Sequence, residues 1–119
     1  MRETAYTLLR LYATMPSPLP LDILDIAAER FRLLGDPSRL GLLSALLDRG
    51  EGTVQELADA TGLSHQNTSK HLRKLAEARL VGDRRDGLYA YYRVTDPCVS
   101  ALCLVMCGSL RGPARDDEG

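Results

Sequence analysis

The side chains best equipped for chemistry fall into two groups. Within positions 64–74, Ser64, His65, Gln66, Asn67, Ser69, Lys70, His71, Arg73 and Lys74 combine short hydrogen-bonding groups, two imidazoles and three cations. That combination suits the reading of DNA: side-chain amides pair bidentately with adenine, and Arg or Lys with guanine. A serine at a helix start adds a seat for phosphate, because free backbone N–H groups and the helix dipole both favour an anion. Arg84 and Arg85 follow, placed to reach a DNA backbone or a minor groove. The second group is Asp96, Cys98, Cys103 and Cys107. At about 100° per residue, Cys103 and Cys107 share one helical face and Cys98 points elsewhere. Two thiolates so placed can hold a transition or soft metal ion, with further ligands from a twofold mate or the first helix. Accessible thiols of low pKa can instead act as a redox or persulfide sensor. Cys is also a small apolar side chain that packs well in a buried helix. These three readings stay open at this point. His65 and His71 read as DNA-facing residues, since nothing sets a third ligand beside them.

Several elements must position these groups. Ala5, Leu8, Leu9, Tyr12 and Met15 predict a helix over 2–15, stopped by the proline-rich stretch 16–20. A second helix is expected over 21–34, with Ile23, Ile26, Ala27, Phe31 and Leu34 on one side. Asp36 as N-cap and Pro37 at the first helical position start a third, running to Leu47 and rich enough in Leu and Ala to be mostly buried. Thr53 with Glu56 forms a capping-box pattern, and that helix ends at Thr61-Gly62. After a tight turn, Ser64 caps a helix to about Ala78, with Thr68, Leu72, Leu75 and Ala76 inward. Residues 53–78 therefore have the spacing of a helix-turn-helix. The period then changes to that of strands over 80–94, turning at Asp86-Gly87, which predicts a β-hairpin with Arg84 and Arg85 near its tip. Asp96-Pro97 starts a last helix to about 110–111, and 114–119 reads as a flexible tail.

Composition narrows the function classes. A chain of 119 residues, 45% apolar and 26% charged, is expected to form one globular domain over 1–113. No run is apolar enough to span a membrane, and no signal peptide is readable, so a cytoplasmic protein is expected. The odd number of cysteines, confined to ten residues, argues against a disulfide framework. Net charge is −1, yet residues 64–93 carry +4 and the remainder −5, which gives the molecule one face for a polyanion. The last helix has only Ser100 as a polar residue between Val99 and Cys107, and the first carries Leu8, Leu9, Leu11 and Tyr12. Helices this apolar need covering on more than one side, so a symmetric homodimer through the first and last helices is expected. There is no HExxH motif, phosphate-binding glycine loop, zinc-finger spacing or GxSxG elbow, so no enzyme is expected.

The segments Arg32-Leu33-Leu34-Gly35-Asp36-Pro37-Ser38-Arg39-Leu40, Glu56-Leu57-Ala58, Gly62-Leu63-Ser64, Ser69-Lys70-His71-Leu72-Arg73-Lys74-Leu75 and Gly87-Leu88-Tyr89-Ala90-Tyr91-Tyr92 resemble, as an ordered set over about 25–110, the ArsR/SmtB winged-helix repressors. The resemblance implies a mainly helical α+β winged helix-turn-helix of five or six helices and a hairpin wing. It further implies a homodimeric regulator, a repressor by family default, that binds an inverted-repeat operator in double-stranded DNA. Many members release it on a metal or thiol-reactive signal. Carried onto this chain, the family's recognition positions are His65, Gln66, Asn67, Ser69, Lys70 and His71. The family's inducer sites match poorly. Thr53-Val54-Gln55 stands where many metal sensors carry Cys-x-Cys. Asp96-Pro97-Cys98 keeps the Asp of an Asp-x-His start but replaces its His, and the distal ligand spacing lands on Ser109 and Gly112. A regulator without an effector, and a winged helix that binds protein instead of DNA, are the remaining alternatives. No cofactor is expected to be needed for the fold.

Overall fold

The computed structural model describes Arg10 and residues 18–111. The helix expected over 2–15 and the tail at 114–119 lie outside the described residues. The chain divides into two compact units, Met1–Phe31 and Arg32–Gly119. The boundary falls within helix α1, Leu21–Leu34. No residue of α1 is buried, and Ile23, Ile26 and Phe31, which share one side of it, are exposed. In the second unit, Leu33 and Leu34 at its end pack on the core.

Helix α2, Pro37–Arg49, begins as its sequence dictates: Pro37 occupies the first turn, and the Asp36 carboxylate accepts from the Arg39 N–H at 3.0 Å. That backbone hydrogen bond, then the Arg39 charge, hold the Asp36 carboxyl below its ordinary range against the opposing effect of desolvation. The helix is less buried than its composition suggests. Leu42, Leu43 and Leu46 face the core, whereas Leu40 and Leu47, seven residues apart and so on one flank, remain partly exposed. Helix α3, Val54–Thr61, carries the full capping box: Thr53 Oγ1 accepts from Glu56 N–H, and Glu56 Oε1 accepts from Thr53 N–H. It stops at Gly62, whose φ of 78° lies in the left-handed region that glycine enters without strain. Helix α4, His65–Glu77, follows after Leu63 and the cap residue Ser64.

Strands β1, Val81–Asp86, and β2, Tyr89–Val94, pair antiparallel from Val81 with Val94 to Asp86 with Tyr89, leaving a two-residue turn. Gly52, in the loop before α3, adds a bridge on the far side of β2. Its N–H donates to the Tyr92 carbonyl at 3.0 Å and its carbonyl accepts from Tyr92 N–H at 2.8 Å. A Cβ at Gly52 would stand 3.1 Å from Leu57 Cδ2, so any larger residue there would require the buried Leu57 side chain to give by a few tenths of an ångström. The last helical run comprises α5, Pro97–Leu102, a π-helical turn Cys103–Cys107, and α6, Gly108–Arg111. The expected continuous α-helix over 96–111 is thus interrupted. Leu42, Leu43, Leu46, Leu57, Leu72, Leu75, Leu80, Val81 and Val99 form one core joining α2, α3, α4, β1 and α5. No helix among the described residues is long and apolar enough to cross a membrane.

Candidate nucleic-acid interface

Helix α4 has two faces, and their contrast builds the site. Thr68, Leu72 and Leu75 are completely buried on one side, with Ala76 packed beside them. Thr68 is tolerated there because its hydroxyl donates to the Ser64 carbonyl at 2.8 Å, which leaves no buried polar atom unpaired. On the opposite side His65, Gln66, Asn67, Lys70, Arg73 and Lys74 are exposed, and Ser69 is half-buried. Six of these, His65, Gln66, Asn67, Ser69, Lys70 and Arg73, line one shallow depression. Ser64 caps the helix by accepting from Asn67 N–H at 3.0 Å, so its hydroxyl proton is left to donate outward.

His71 departs from this outward set. It is half-buried, and its Nδ1 lies 3.3 Å from Arg39 Nη1. A guanidinium only donates, so in this contact Nδ1 is the acceptor. Arg39 in turn donates through Nε to the Leu33 carbonyl at 2.7 Å. The imidazole therefore ties the recognition helix to the start of α2. Arg39 escaped sequence reasoning because its partner stands 32 residues away.

The hairpin places Arg84 and Arg85 differently. Arg84 is held bidentately by Glu51 in the loop before α3, with Nη2–Oε2 at 2.7 Å and Nε–Oε1 at 3.1 Å. Its guanidinium also lies 4.5 Å from the centre of the Tyr91 ring. This bonding pushes the Glu51 carboxyl down and the Arg84 guanidinium up from their ordinary values. Arg85 projects further into solvent and, among the described residues, meets the Asp83 carboxylate at 3.5 Å. Glu51, like Arg39, carries no local signal that would reveal its role.

At the last helix, Asp96 acts as N-cap, its carboxylate accepting from Cys98 N–H at 2.8 Å. Cys98 and Cys107 are exposed and Cys103 is half-buried against the core. Burial pushes the Cys103 thiol up, and the Cys107 thiol pushes it further. Among the described residues, no three His, Cys, Asp or Glu side chains converge on a point where a metal ion could sit. The residues standing at the family's usual inducer positions therefore do not assemble a ligand set within the described chain.

Residues 34–82 match the family model described as a helix-turn-helix domain. The chain is 43% identical over 89 residues to the HTH-type transcriptional regulator KmtR of Mycobacterium tuberculosis, covering 75% of this chain and 68% of that one. It is 42% identical over 81 residues to a probable mercury resistance operon repressor of Streptomyces lividans, covering 68% and 64%. The chain thus spans about two thirds of the length of these relatives. Among solved structures, the homodimeric winged helix-turn-helix DNA-binding domain Mb0332 of Mycobacterium bovis, a possible ArsR-family transcriptional regulator, is similar with a TM-score of 0.70 and 30% identity. That match covers 82% of this chain and 90% of that one. Sequence identity of this extent, joined to the capped helix-turn-helix and the paired wing, shows that the chain belongs to the ArsR/SmtB family of transcriptional repressors, with their winged helix-turn-helix DNA-binding fold.

Proposed function

We propose that two copies of this chain pair through the helices at the ends of domain 1–113 and bind an inverted-repeat operator in the cytoplasm, repressing transcription. The observation that carries this reading is the two-sided α4: a fully buried inner face holds a polar, cationic outer face in a fixed pose. Gln66 and Asn67 read base edges in the major groove. Lys70, Arg73 and Lys74 meet guanine or phosphate, and Ser64, His65 and Ser69 seat the backbone at the helix start. His71 acts behind this face by fixing α4 against Arg39. Arg85 on the wing grips the backbone, with Arg84 beneath it. Support for the dimer comes from the apolar side chains exposed along 97–111 and from the homodimeric state of Mb0332. A twofold pair would set its recognition helices about 34 Å apart, one turn of DNA.

The effector reading falls on the last helical run, where Asp96, Cys98, Cys103 and Cys107 lie. A metal ion bound there would act by favouring a form of the dimer in which the two α4 helices no longer match the operator. The mercury-resistance name of one relative supports a metal ion over a thiol oxidant.

The test is a DNA titration over a range of salt, using a fragment from beside the protein's own gene. Lys70→Ala should weaken binding to every sequence and reduce the salt slope by about 0.9, the loss of one phosphate contact. Gln66→Ala and Asn67→Ala should each relax sequence preference by about 1–3 kcal/mol while leaving that slope in place. Equal losses on all sequences from all three variants would overturn this division of roles. Absence of any specific fragment binding by the unaltered protein would point to a protein partner instead.

A further inference from the structure

The geometry points to Glu51 as a positioning residue that serves as an internal phosphate surrogate: its carboxylate occupies Arg84 and so withholds one cation of the wing from DNA of any sequence. The proposal rests on the DNA-binding reading above and adds to it a residue outside both α4 and the hairpin. Glu51 sits in the loop before α3, and its neighbour Gly52 is fastened to β2 by two hydrogen bonds with Tyr92, at 3.0 and 2.8 Å. Arg84 lies in β1, paired with Tyr91, and so on the opposite edge of β2 from that loop. Its side chain therefore crosses β2, with the guanidinium 4.5 Å from the centre of the Tyr91 ring. It meets the carboxylate on the far edge with Nη2–Oε2 at 2.7 Å and Nε–Oε1 at 3.1 Å. Asp86, 3.9 Å from Nη1, is a weaker second partner.

A guanidinium fork takes two oxygens side by side, and a carboxylate and a phosphate both offer them. Arg84 can be held in this way by one or by the other, so the protein's own carboxylate competes directly with DNA. An exposed ion pair ordinarily contributes little, because two long side chains must be immobilised and water screens the charges. Here the backbone does much of that ordering beforehand. The β1–β2 ladder fixes the root of Arg84, the Gly52 bridge fixes the loop that carries Glu51, and the Tyr91 ring backs the guanidinium. Hydrogen bonding by Arg84 also holds the Glu51 carboxyl below its ordinary range, so the surrogate stays an anion at neutral pH. Arg93, exposed on β2, acts on the same carboxylate by charge alone. Arg85 has no comparable clamp: its contact with Asp83 is a single one at 3.5 Å, within its own strand.

The experiment measures binding of the full-length protein to two labelled duplexes, one from beside its own gene and one of random sequence, by fluorescence anisotropy over a range of potassium chloride. Glu51→Gln removes the charge, and Glu51→Ala removes the oxygens as well; the first keeps the side chain's shape and stands alone if the second misfolds. Both should bind either duplex more tightly at low salt, with a salt slope steeper by about 0.9, the mark of one added phosphate contact. The gain should shrink about eightfold for each tenfold rise in salt. It should be equal on the two duplexes, since a phosphate contact carries no sequence information. In an Arg84→Ala background neither change at Glu51 should have any effect, which separates release of Arg84 from simple removal of a negative charge. A gain that survives without Arg84 would assign the effect to Arg93 or to relieved repulsion and overturn the proposal. A gain confined to the operator duplex would overturn it too, as would slopes unchanged at Glu51 while Lys70→Ala still flattens its own. Failure of the unaltered protein to bind either duplex at low salt would overturn the DNA-binding reading along with it.

Discussion

Arg79 shows how much a single residue can reveal. It is the one non-glycine residue among those described with a positive φ, 64°, and it sits where α4 ends. Its own N–H donates to the Ala76 carbonyl and the next N–H, from Leu80, donates to the Leu75 carbonyl at 3.0 Å. This is the left-handed close of a helix that glycine usually provides. A side chain with a Cβ costs about 1–2 kcal/mol in that region. Arg79→Gly should therefore stabilise the fold by up to about 1 kcal/mol after the added flexibility of the unfolded chain is counted. A urea melt with an unchanged slope and a higher midpoint would bear this out, and a lower midpoint would contradict it. His71 carries the converse lesson: expected on the DNA-facing side of its helix, it is half-buried and its Nδ1 meets Arg39.

Among the elements, the wing is where the two adjacent arginines part ways. Arg84 is held by a bidentate partner and covered by an aromatic ring, while Arg85, among the described residues, meets the Asp83 carboxylate at longer range. The loop that supplies Glu51 also bridges β2 through Gly52, so the hairpin is fastened to the helix-turn-helix from two sides. Counterion release counts only charges that are free to meet phosphate. Arg85→Ala should reduce the salt slope of operator binding by close to 0.9, whereas Arg84→Ala should change it by clearly less. Arg84→Ala should instead loosen the wing, seen as faster amide hydrogen exchange in β1 and β2. Equal slope losses from the two variants would mean that Arg84 leaves Glu51 for DNA.

For the molecule as a whole, the last helical run decides the outcome. Leu104, Val105, Met106 and Leu110 are 45, 54, 61 and 80% exposed in a single chain, although only Val99 of this run reaches the core fully. An apolar surface of this kind on a helix marks an interface. Replacing Val105 by Asp should leave the chain's own core intact, since the side chain stands outside it, and should split the proposed dimer. Sedimentation equilibrium should then find monomers, and operator binding should fall to that of one half-site. A Val105→Asp protein that remains dimeric would place the interface elsewhere.

What the sequence determined by itself is the part of the molecule whose causes are local. The caps at Asp36, Thr53 and Ser64 and the glycine stop at Gly62 each act within about four residues and stand as expected, whereas the hairpin turns one residue later than Asp86-Gly87, at Gly87-Leu88, because Asp86 pairs with Tyr89 at the end of the ladder. The inward stripe Thr68, Leu72, Leu75 follows from helical period alone. Tertiary structure decided what depends on residues far apart in the chain: Glu51 claiming Arg84 across 33 positions, and Arg39 claiming His71 across 32. It also decided that the flank of Leu40 and Leu47 stays partly exposed, and that the turn holding Cys103 and Cys107 is a π-turn. A cap or a turn is a short-range competition among backbone hydrogen bonds, which neighbouring residue types settle. The partner of a long charged side chain, or the cover of an apolar face, is settled only when distant segments are brought together by the core.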